Sequence, residues 1–344
     1  MTGLAHQPSR TPFVQSATVP TLSVIVPTYR GGPQIYGNLV ALDHALSLIG
    51  EPYEIIVVSD GNDDNTAEEA SRLDASHVKV YHYHRNMGKG FALRYGVARS
   101  TGQIVTFIDG DGDINPVQIA QYLRIMREAD ADIVVGSKRH AESRVVYPPV
   151  RRLYSATYQT LLRVLFQLEV RDTQVGLKLF RREVLAAVLP RIVVKRYAFD
   201  LELLVVARHL GYTRVVEAPV HIGRRFASTI NQRAIASILQ ETAAIFYRKN
   251  ILRYYDRFHG PVAFDTLSTY MENELAIEAE QRGIARNVLL WLGDGCDRIL
   301  RRCYTVLRAR VHGDATGSAV ADHMDHMDPE ADERDEETWS ASSR

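Results

Sequence analysis

Short apolar runs and longer mixed segments alternate along the first 140 residues of the chain. Runs rich in β-branched residues predict strands, and the mixed segments between them have the length of helices. Strands are predicted at 22–26, 54–59, 78–83, 103–108 and 132–136, and helices at 34–49, 64–73, 88–100 and 117–129. Strands that alternate with helices build a sheet with helices on both faces. The predicted fold class is α/β, with a doubly wound, mostly parallel sheet.

From about residue 145 onward, longer helical segments dominate the pattern. The predicted helices span 150–168, 199–210 and 228–255, and short strands are predicted near 177–180 and 213–222. We expect this half to form the second wall of a cleft. Further along, residues 284–311 predict a basic amphipathic helix. The acidic stretch 313–344 has too few apolar residues to offset its ordering entropy. A C-terminal helical extension and a disordered acidic tail are therefore expected.

Composition narrows the class of protein. The chain has 344 residues, 46% of them hydrophobic, and can bury a complete core. Its formal net charge is zero, so we expect no nucleic-acid partner, because the basic surface that binds phosphate backbones is lacking. The two cysteines, Cys296 and Cys303, fit reduced thiols better than a disulfide framework. We therefore expect a cytoplasmic protein.

Neither a secretory signal nor a transmembrane segment is predicted. Residues 1–20 are polar and contain three prolines, without the basic and apolar regions of a signal peptide. No window approaches the roughly 18 uninterrupted apolar residues that a membrane-spanning helix requires. Any membrane contact is therefore expected to be peripheral.

An acidic stretch follows the fourth predicted strand. In doubly wound sheets, ligands bind beyond the carboxyl ends of the strands, and the sequence FIDGDGDINP places Asp109, Asp111 and Asp113 there. An EF-hand calcium loop needs glycine at its sixth position and glutamate at its twelfth. This chain has Ile114 and Ala120 at those positions, so the calcium loop is excluded.

Three interpretations of the acidic stretch remain. It can be a solvated acidic turn, or the D-x-D-G signature of an aspartate phosphatase of the haloacid dehalogenase type. It can also be a D-x-D site that binds Mg²⁺ or Mn²⁺ together with the diphosphate of a nucleotide sugar. Hard divalent ions prefer oxygen ligands, and Mg²⁺ commonly combines one or two carboxylates with substrate phosphates.

Several stretches near the predicted strand ends resemble family 2 glycosyltransferases. They are SVIVPTYR (23–30), EIIVVSDGNDDNT (54–66), NMGKGFALRYGV (86–97), GQIVTFIDGDGD (102–113) and DIVVGSKR (132–139). Two more, VRDTQVGLKLFRREVL (170–185) and YAFDLELL (197–204), are similar to the polyprenyl-phosphate sugar synthases, which include the dolichyl-phosphate mannose and glucose synthases. The D-T-Q-x-G-x-K-L-F form favours the glucose branch.

The resemblance implies a GT-A-type fold and an inverting transfer of a hexose. The implied donor is UDP-glucose or GDP-mannose, the acceptor is a polyprenyl monophosphate, and the cofactor is Mg²⁺ or Mn²⁺. Two alternatives stay open beside the phosphatase. One is the same fold with a soluble hydroxyl acceptor, for which Asp200 is the candidate base. The other is a catalytically silent scaffold, against which the intact Asp109 and Asp111 pair argues.

The resemblance also implies roles for single residues. The implied metal ligands are Asp109, Asp111 and Asp113, and Asp111 is the strongest of them. The implied donor-binding residues are Pro27, Tyr29, Asp60, Lys89, Asp109, Gln174 and Lys178. The family's usual residues are replaced at Ser59, Arg30 and Gly31, which leaves the nucleotide base open.

The acceptor phosphate is expected to bind to arginines. A phosphate monoester has a second pKa of about 6, so it is mostly a dianionic nucleophile at neutral pH and needs no general base. Arginine matches phosphate geometry with paired donors. By the resemblance, the candidates are Arg139 and Arg225, with Ser228 following and with Arg151, Arg152 and Arg224 as weaker candidates.

These observations predict the domain organisation. The predicted segments are a disordered N-terminal segment (1–20), a glycosyltransferase domain (21–256), a basic amphipathic extension (257–312) and an acidic tail (313–344). Within the domain, the nucleotide-binding half covers about 21–140 and the acceptor half about 141–256. Helices 228–255 and 284–311 are candidates for peripheral contact with the inner face of the membrane. A separate membrane protein is a further candidate partner.

Overall fold

The computed structural model describes residues 20–61, 63–143, 149–223, 232–257 and 260–277, without the side chains of 149–155 and 232–234. The strands are β1 (Leu22–Thr28), β2 (Tyr53–Asp60), β3 (Val78–Tyr83), β4 (Ile104–Phe107), β5 (Ile133–Ser137), β6 (Lys178–Arg181) and β7 (Val215–Pro219). Each predicted strand is present. The basic amphipathic helix, the acidic tail and both cysteines lie outside the described residues.

Helices connect these strands in the predicted places. They are α1 (Gln34–Ser47), α2 (Thr66–Ser71), α3 (Lys89–Val97), α4 (Gln118–Glu128), α5 (Pro149–Phe166), α6 (Arg182–Val188), α7 (Phe199–His209) and α8 (Gln232–Asn250). Short 3-10 turns follow at Leu189–Arg191 and Tyr254–Arg257, and a further helix begins at residue 264. The named elements belong to the first of two compact units, which ends at Glu274. The domain boundaries given above stay predictions.

A seven-stranded sheet in the order β3-β2-β1-β4-β6-β5-β7 forms the centre of this unit. The pairs β1·β2, β1·β4, β2·β3 and β5·β7 are parallel. β1 is buried along all seven residues, as expected of a central strand with helices on both faces. The prediction of a doubly wound, mostly parallel sheet is confirmed.

Strand β6 runs antiparallel between β4 and β5. Lys178, its first residue, lies opposite Phe107, the last residue of β4, and opposite Val135, two residues before the end of β5. Because β6 begins near the ends of its neighbours, the residues that precede it lie at the edge of the sheet that binds ligands in such folds. The sequence pattern predicts a strand here but not its direction.

Amphipathic helices cover the sheet. In α4, Ile119, Tyr122, Leu123 and Met126 are buried, and this i, i+3, i+4, i+7 spacing places them on one face of the helix. They belong to a continuous apolar core with β1, β2 and β4. The core holds the carboxyl ends of the strands in fixed positions, so the loops that follow them start from a rigid support.

A buried carboxylate connects several segments at the edge of the sheet where the parallel strand β2 begins. Glu54 on β2 is 3% exposed and accepts hydrogen bonds from Ser23 Oγ (2.7 Å), Thr101 N (2.6 Å) and Lys79 Nζ (3.0 Å). Burial opposes ionisation of Glu54, but these donors outweigh it and hold its pKa below the ordinary value. The carboxylate thus joins three segments that are distant in the sequence.

Replacing Glu54 should make folding less stable and less dependent on pH. We expect Glu54→Gln to lower the free energy of unfolding at neutral pH by about 1–3 kcal/mol, because buried donors lose a charged acceptor. Because the pKa of Glu54 is lower in the native state than its ordinary value of 4.5, its charge stabilises the fold above pH 4.5. This stability is lost as the pH falls through the native pKa. Urea unfolding of both proteins at several pH values should therefore show the difference shrinking in acid.

Glu128→Gln is the matched control for this prediction. Glu128 is exposed and lies 3.8 Å from Arg124 in a surface pair, which contributes little to stability. A constant stability difference between Glu54→Gln and the wild type at all pH values would contradict the expected role of the Glu54 charge.

Candidate active site

The carboxyl ends of β1, β2, β4 and β5 converge with the start of β6 at one edge of the sheet. The acidic loop 109–113 leaves β4 at this edge and packs against β1. Gly110 N donates to Pro27 O (3.3 Å), and Asn38 Nδ2 on α1 donates to Gly110 O (2.9 Å). Gly112 has a φ of 73°, and an added Cβ would lie 2.6 Å from Asn38 Oδ1. The loop therefore has a defined shape that needs glycine at this position.

Asp109 faces a lysine on one side and a glycine on the other. Its Oδ1 is 2.6 Å from Lys89 Nζ, at the first residue of α3. On the other side, a Cβ added to Gly176 would overlap the Asp109 carboxylate. Gly176 belongs to the segment that precedes β6, so the direction of β6 makes this close approach possible.

Lys89 lies among several negative charges. Partial desolvation disfavours its ammonium group, but Asp109, Asp200 and Asp111 together raise its pKa above the ordinary value. Lys89 is therefore a permanent cation next to the acidic loop at neutral pH. It forms an ion pair with one carboxylate of the loop, Asp109.

Asp111 and Asp113 are linked through the backbone. Asp113 N donates to Asp111 Oδ1 (3.0 Å), which forms a turn that exposes the Asp111 residue. Desolvation by nearby protein atoms is the largest cause that raises the pKa of Asp111, and the charges of Asp109 and Asp113 raise it further. A bound cation would relieve this repulsion between carboxylates, so the donor set fits a hard divalent ion.

The described side chains do not form a complete metal cage made by the protein alone. Within the described ranges, no group of three or more His, Cys, Asp or Glu side chains is arranged to hold a metal ion. Mg²⁺ sites of the kind that share their ion with substrate phosphates need one or two carboxylates from the protein. Exposed Asp111, with Asp109 beside it, meets that smaller requirement. The role of Asp113 as a third ligand stays a prediction.

Asp60, predicted to meet the nucleoside, makes its contacts inside the protein. It is buried and accepts hydrogen bonds from Tyr83 OH (2.8 Å), Met87 N (2.7 Å) and Gly88 N (2.9 Å). Burial raises its pKa, and these donors oppose the shift. Asp60 therefore holds the turn that carries Lys89. Of the other predicted nucleotide residues, Pro27 is buried and Tyr29 is exposed at the same edge.

Lys178 and Asp200 form a buried ion pair. Their side chains are 2.9 Å apart and almost fully enclosed, and Lys178 Nζ also donates to Val175 O. This pairing connects the start of β6 to the first turn of α7. Lys178 was predicted to bind the donor and Asp200 to be a candidate base. In the structure, each serves as the partner of the other.

The loop before β6 also contacts the loop after β5. Asp172 Oδ2 accepts from Lys138 N (3.3 Å), and its Oδ1 accepts from Gln174 N (3.1 Å). Gln174 and Arg139 are exposed beside this junction, so the structure brings these two predicted residues to the same edge as the acidic loop.

Among the predicted acceptor arginines, Arg139 has a described side chain. Arg224, Arg225 and Ser228 lie outside the described residues, and the side chains of Arg151 and Arg152 are not described. The chain reaches the 224–231 segment through Gly223, whose N–H donates to Asp113 O (3.3 Å). The entry to the predicted acceptor segment is therefore hydrogen-bonded to the acidic loop.

Sequence reasoning missed several residues that shape this edge. They are Asn38, Gln118 and Gly176. Buried Glu202 accepts from Val193 N (2.9 Å) and Val194 N (2.7 Å). In the same segment, the Lys195 carbonyl accepts a hydrogen bond from Gly90 N at the start of α3 (2.8 Å). Gly176 lies within the quoted VRDTQVGLKLF stretch, and a glycine among large apolar residues was the available signal.

The mostly parallel sheet and the acidic loop beyond its fourth strand agree with a GT-A-type domain. Residues 23–189 match the family model described as glycosyl transferase family 2. These residues belong to that family, and the protein is a glycosyltransferase. The resemblance drawn from the sequence is confirmed.

Two curated relatives indicate which members of the family this chain resembles. A dolichyl-phosphate beta-glucosyltransferase of Trichomonas vaginalis is 29% identical over 270 residues, which cover 73% of this chain and 79% of the relative. The human dolichyl-phosphate beta-glucosyltransferase is 30% identical over 219 residues, covering 57% of this chain and 66% of the relative. The protein is therefore similar to the dolichyl-phosphate sugar synthases.

Solved structures share the fold. Mannosyl-3-phosphoglycerate synthase from Rubrobacter xylanophilus has a TM-score of 0.53 at 21% identity. The matched region covers 70% of this chain and 76% of the synthase chain. Glucosyl-3-phosphoglycerate synthase from Mycobacterium tuberculosis, in complex with Mn²⁺, UDP and glucosyl-3-phosphoglycerate, has a TM-score of 0.50 at 19% identity. The matched region covers 67% of this chain and 80% of the mycobacterial chain. These similarities support the GT-A architecture.

Gly176→Ala should displace the Asp109 carboxylate. Because the added methyl overlaps that carboxylate, we expect Mn²⁺-dependent binding of a nucleoside diphosphate to weaken at least tenfold, as measured by calorimetry. The melting temperature should change little if the carboxylate moves and the strand does not.

The matched control is Gly37→Ala on α1, where an added Cβ meets no atom within 4 Å. This change should be neutral or stabilise the helix by about 0.4–1 kcal/mol. Unchanged nucleotide binding in Gly176→Ala would refute the assigned contact.

Proposed function

We propose that the protein transfers a hexose from UDP-glucose or GDP-mannose to a polyprenyl monophosphate with inversion at the sugar carbon. The observation that carries the proposal is the junction at Asp113, which lies beside Asp111 and binds the entry of the predicted acceptor segment through Gly223. Both curated relatives described above are named for glucosyl transfer to dolichyl phosphate. The chemistry is a single in-line displacement. A phosphate oxygen attacks C1 of the hexose, and the bond from C1 to the diphosphate breaks with the electron pair leaving on the nucleotide.

A divalent cation, Mg²⁺ or Mn²⁺, is part of this proposal. Asp111 would hold it with support from Asp109 and Asp113, and when bound it supplies positive charge to the departing diphosphate. The Mn²⁺ and UDP of the mycobacterial synthase are properties of that protein and are consistent with this proposal. Lys89 adds a second positive charge at the same loop, 2.6 Å from Asp109.

The donor-binding residues have different proposed tasks. Pro27 and Tyr29 contact the nucleotide from the end of β1, and Gln174 contacts it from the loop before β6. Asp60 acts through the turn that it holds, which positions Lys89. Lys178 acts through its ion pair with Asp200, which fixes the start of β6. The substrate assay below determines which nucleotide base and which sugar the donor carries.

The acceptor phosphate is proposed to bind Arg139 and Arg225. Because the phosphate dianion is itself the nucleophile, the mechanism needs cations to orient it and no base to deprotonate it. The pairing of Asp200 with Lys178 agrees with this, because the Asp200 carboxylate is already engaged by a buried ammonium group. A soluble hydroxyl acceptor would require Asp200 to act as a base despite that pair, so it is the second candidate.

Peripheral membrane contact is proposed for α8. Its exposed positions include Ala236, Leu239, Ala243 and Tyr247, and Ile251 follows at the same spacing, which forms one stripe on the helix. Tyr247 is 52% and Ile251 64% exposed. Arg253 and Arg257 lie next along the chain and are exposed, which suits anionic headgroups. Among the described residues, none of the helices has the length and apolarity to cross a bilayer.

The central test is transfer to lipid. The wild type, incubated with radiolabelled UDP-glucose or GDP-mannose, Mg²⁺ and polyprenyl phosphate, should move the label into the organic extract. Asp111→Ala should reduce this transfer at least about 100-fold, because charge on the leaving group loses its stabilisation.

Asp74→Ala is the matched control, since Asp74 is exposed and distant along the chain from the acidic loop; it should keep full activity. Full activity of Asp111→Ala, or label found only on soluble hydroxyl acceptors, would rule out the proposed reaction.

The membrane proposal predicts a loss of vesicle binding. A triple change, Leu239→Ser, Tyr247→Ser and Ile251→Ser, should lower flotation with anionic vesicles at least tenfold, because each apolar side chain contributes about 1.5–3 kcal/mol when fully buried. Leu48→Ser, at an isolated residue that is 71% exposed, should float like the wild type. Equal flotation of all three proteins would leave α8 without a membrane role.

A further inference from the structure

The turn that carries Lys89 is held from two sides. On one side, buried Asp60 accepts from Gly88 N (2.9 Å). On the other side, the Lys195 carbonyl accepts from Gly90 N (2.8 Å), and a Cβ added to Gly88 would lie 2.6 Å from that same carbonyl oxygen. Because the two backbones touch at this place, a movement of Lys195 is passed on to the residue between the two glycines, which is Lys89.

Lys195 belongs to an irregular segment that leads into α7. Residues 192–195 are neither helix nor strand, so their backbone groups need partners outside a helix or a sheet. Glu202 on α7 supplies one of these partners, since its Oε2 accepts from Val193 N (2.9 Å) and Val194 N (2.7 Å). These two residues directly precede Lys195, so Glu202 fixes the backbone that packs on the start of α3.

Two other carboxylates contact this segment at different points. Glu274 pairs with the side chain of Lys195 (2.5 Å), and Glu241 accepts from Ala198 N (2.7 Å). Glu202 differs from both, because it binds the backbone immediately before the Lys195 carbonyl.

The Glu202 carboxylate is itself held in one orientation. It is 0% exposed, and its Oε1 accepts from Tyr255 OH (2.7 Å) and from the Arg248 guanidinium of α8 (2.9 Å). An ionised carboxylate has about four acceptor sites, and four donors surround this one. The Arg248 charge offsets the burial of the carboxylate. Glu202 therefore has no surface for a ligand, and any effect on the reaction passes through its neighbours.

We propose that Glu202 is a positioning residue for the nucleotide-sugar donor, because it fixes the backbone on which the Lys89 turn rests. This inference rests on the proposed function, in which Lys89 adds positive charge at the metal-binding loop, 2.6 Å from Asp109. When the Glu202 charge is lost, the amides of residues 193–194 lose their shared acceptor and Lys195 shifts. The Lys89 ammonium shifts with it, so donor binding weakens while acceptor use is retained.

The experiment compares Glu202→Gln with the wild type, both as the full chain. Glutamine keeps the size of the side chain but replaces one acceptor oxygen with an NH₂ donor. At saturating Mn²⁺, we expect the dissociation constant for UDP or GDP to rise at least fivefold by calorimetry, while the KM for polyprenyl phosphate at saturating donor stays within twofold. Glu169→Gln is the matched control, since the Glu169 side chain is 90% exposed and lies 4.0 Å from Arg208 on the same helix, α7; both constants should remain at wild-type values.

A double-mutant cycle with Lys89→Met separates positioning from a general loss of structure. Lys89→Met alone should raise the same dissociation constant at least fivefold. Adding Glu202→Gln should then raise it less than twofold further, because the ammonium through which Glu202 acts is gone. A merely structural role predicts equal weakening in both backgrounds. That result would overturn the inference, as would wild-type nucleotide binding in Lys89→Met or in Glu202→Gln.

Glu202→Asp keeps the inference testable if the glutamine variant does not fold. Aspartate retains the negative charge that faces Arg248 but is one methylene shorter, so it cannot reach the amides of residues 193–194 and α8 together. It should melt cooperatively and bind UDP or GDP at least threefold more weakly. Unchanged binding in the folded aspartate variant, or loss of folding in both variants, would overturn the inference. Failure of the wild type to bind a nucleoside diphosphate would instead refute the proposed function.

Discussion

The antiparallel course of β6 is the constraint on which the rest of the site depends. A parallel strand at this place would begin at the far edge of the sheet and send its preceding loop away from the acidic residues. Because β6 starts near the carboxyl ends of β4 and β5, Gly176 lies against Asp109 and Lys178 reaches Asp200. The antiparallel direction of β6 therefore places the residues that precede it against the acidic loop.

Carboxylates and ammonium groups lie close together at this edge. Asp109, Asp111, Asp113 and Asp200 contribute four carboxylates, and Lys89 and Lys178 contribute two ammonium groups. Lys178 is paired with Asp200, and Lys89 with Asp109. Repulsion by Asp109 and Asp113 is among the causes that raise the pKa of Asp111. Carboxylate oxygens clustered in one short loop are ligands of the kind that a hard cation prefers.

The sequence predicts the strands and the acidic loop because both are local features. Periodicity and apolar runs locate each strand, and parallel topology brings the strand ends to one edge. The supports of the loop are different. Asn38 contacts Gly110 across 72 residues and Gln118 contacts His221 across 103, and no local pattern marks such partners. Asp60 illustrates the same limit, since its position at a strand end is predictable but its enclosure by Tyr83, Met87 and Gly88 is not.

The buried pair of Lys178 and Asp200 explains how a site rich in charge can be rigid before any ligand binds. Two buried charges stabilise a fold only when they face each other and their remaining hydrogen bonds are made. Lys178 satisfies this condition through Asp200 and the Val175 carbonyl, which fixes α7 to the start of β6. Catalysis by fixed charges requires groups that do not reorganise during the reaction. The pair therefore contributes by fixing α7 to the start of β6, which keeps the residues before β6 in place against Asp109.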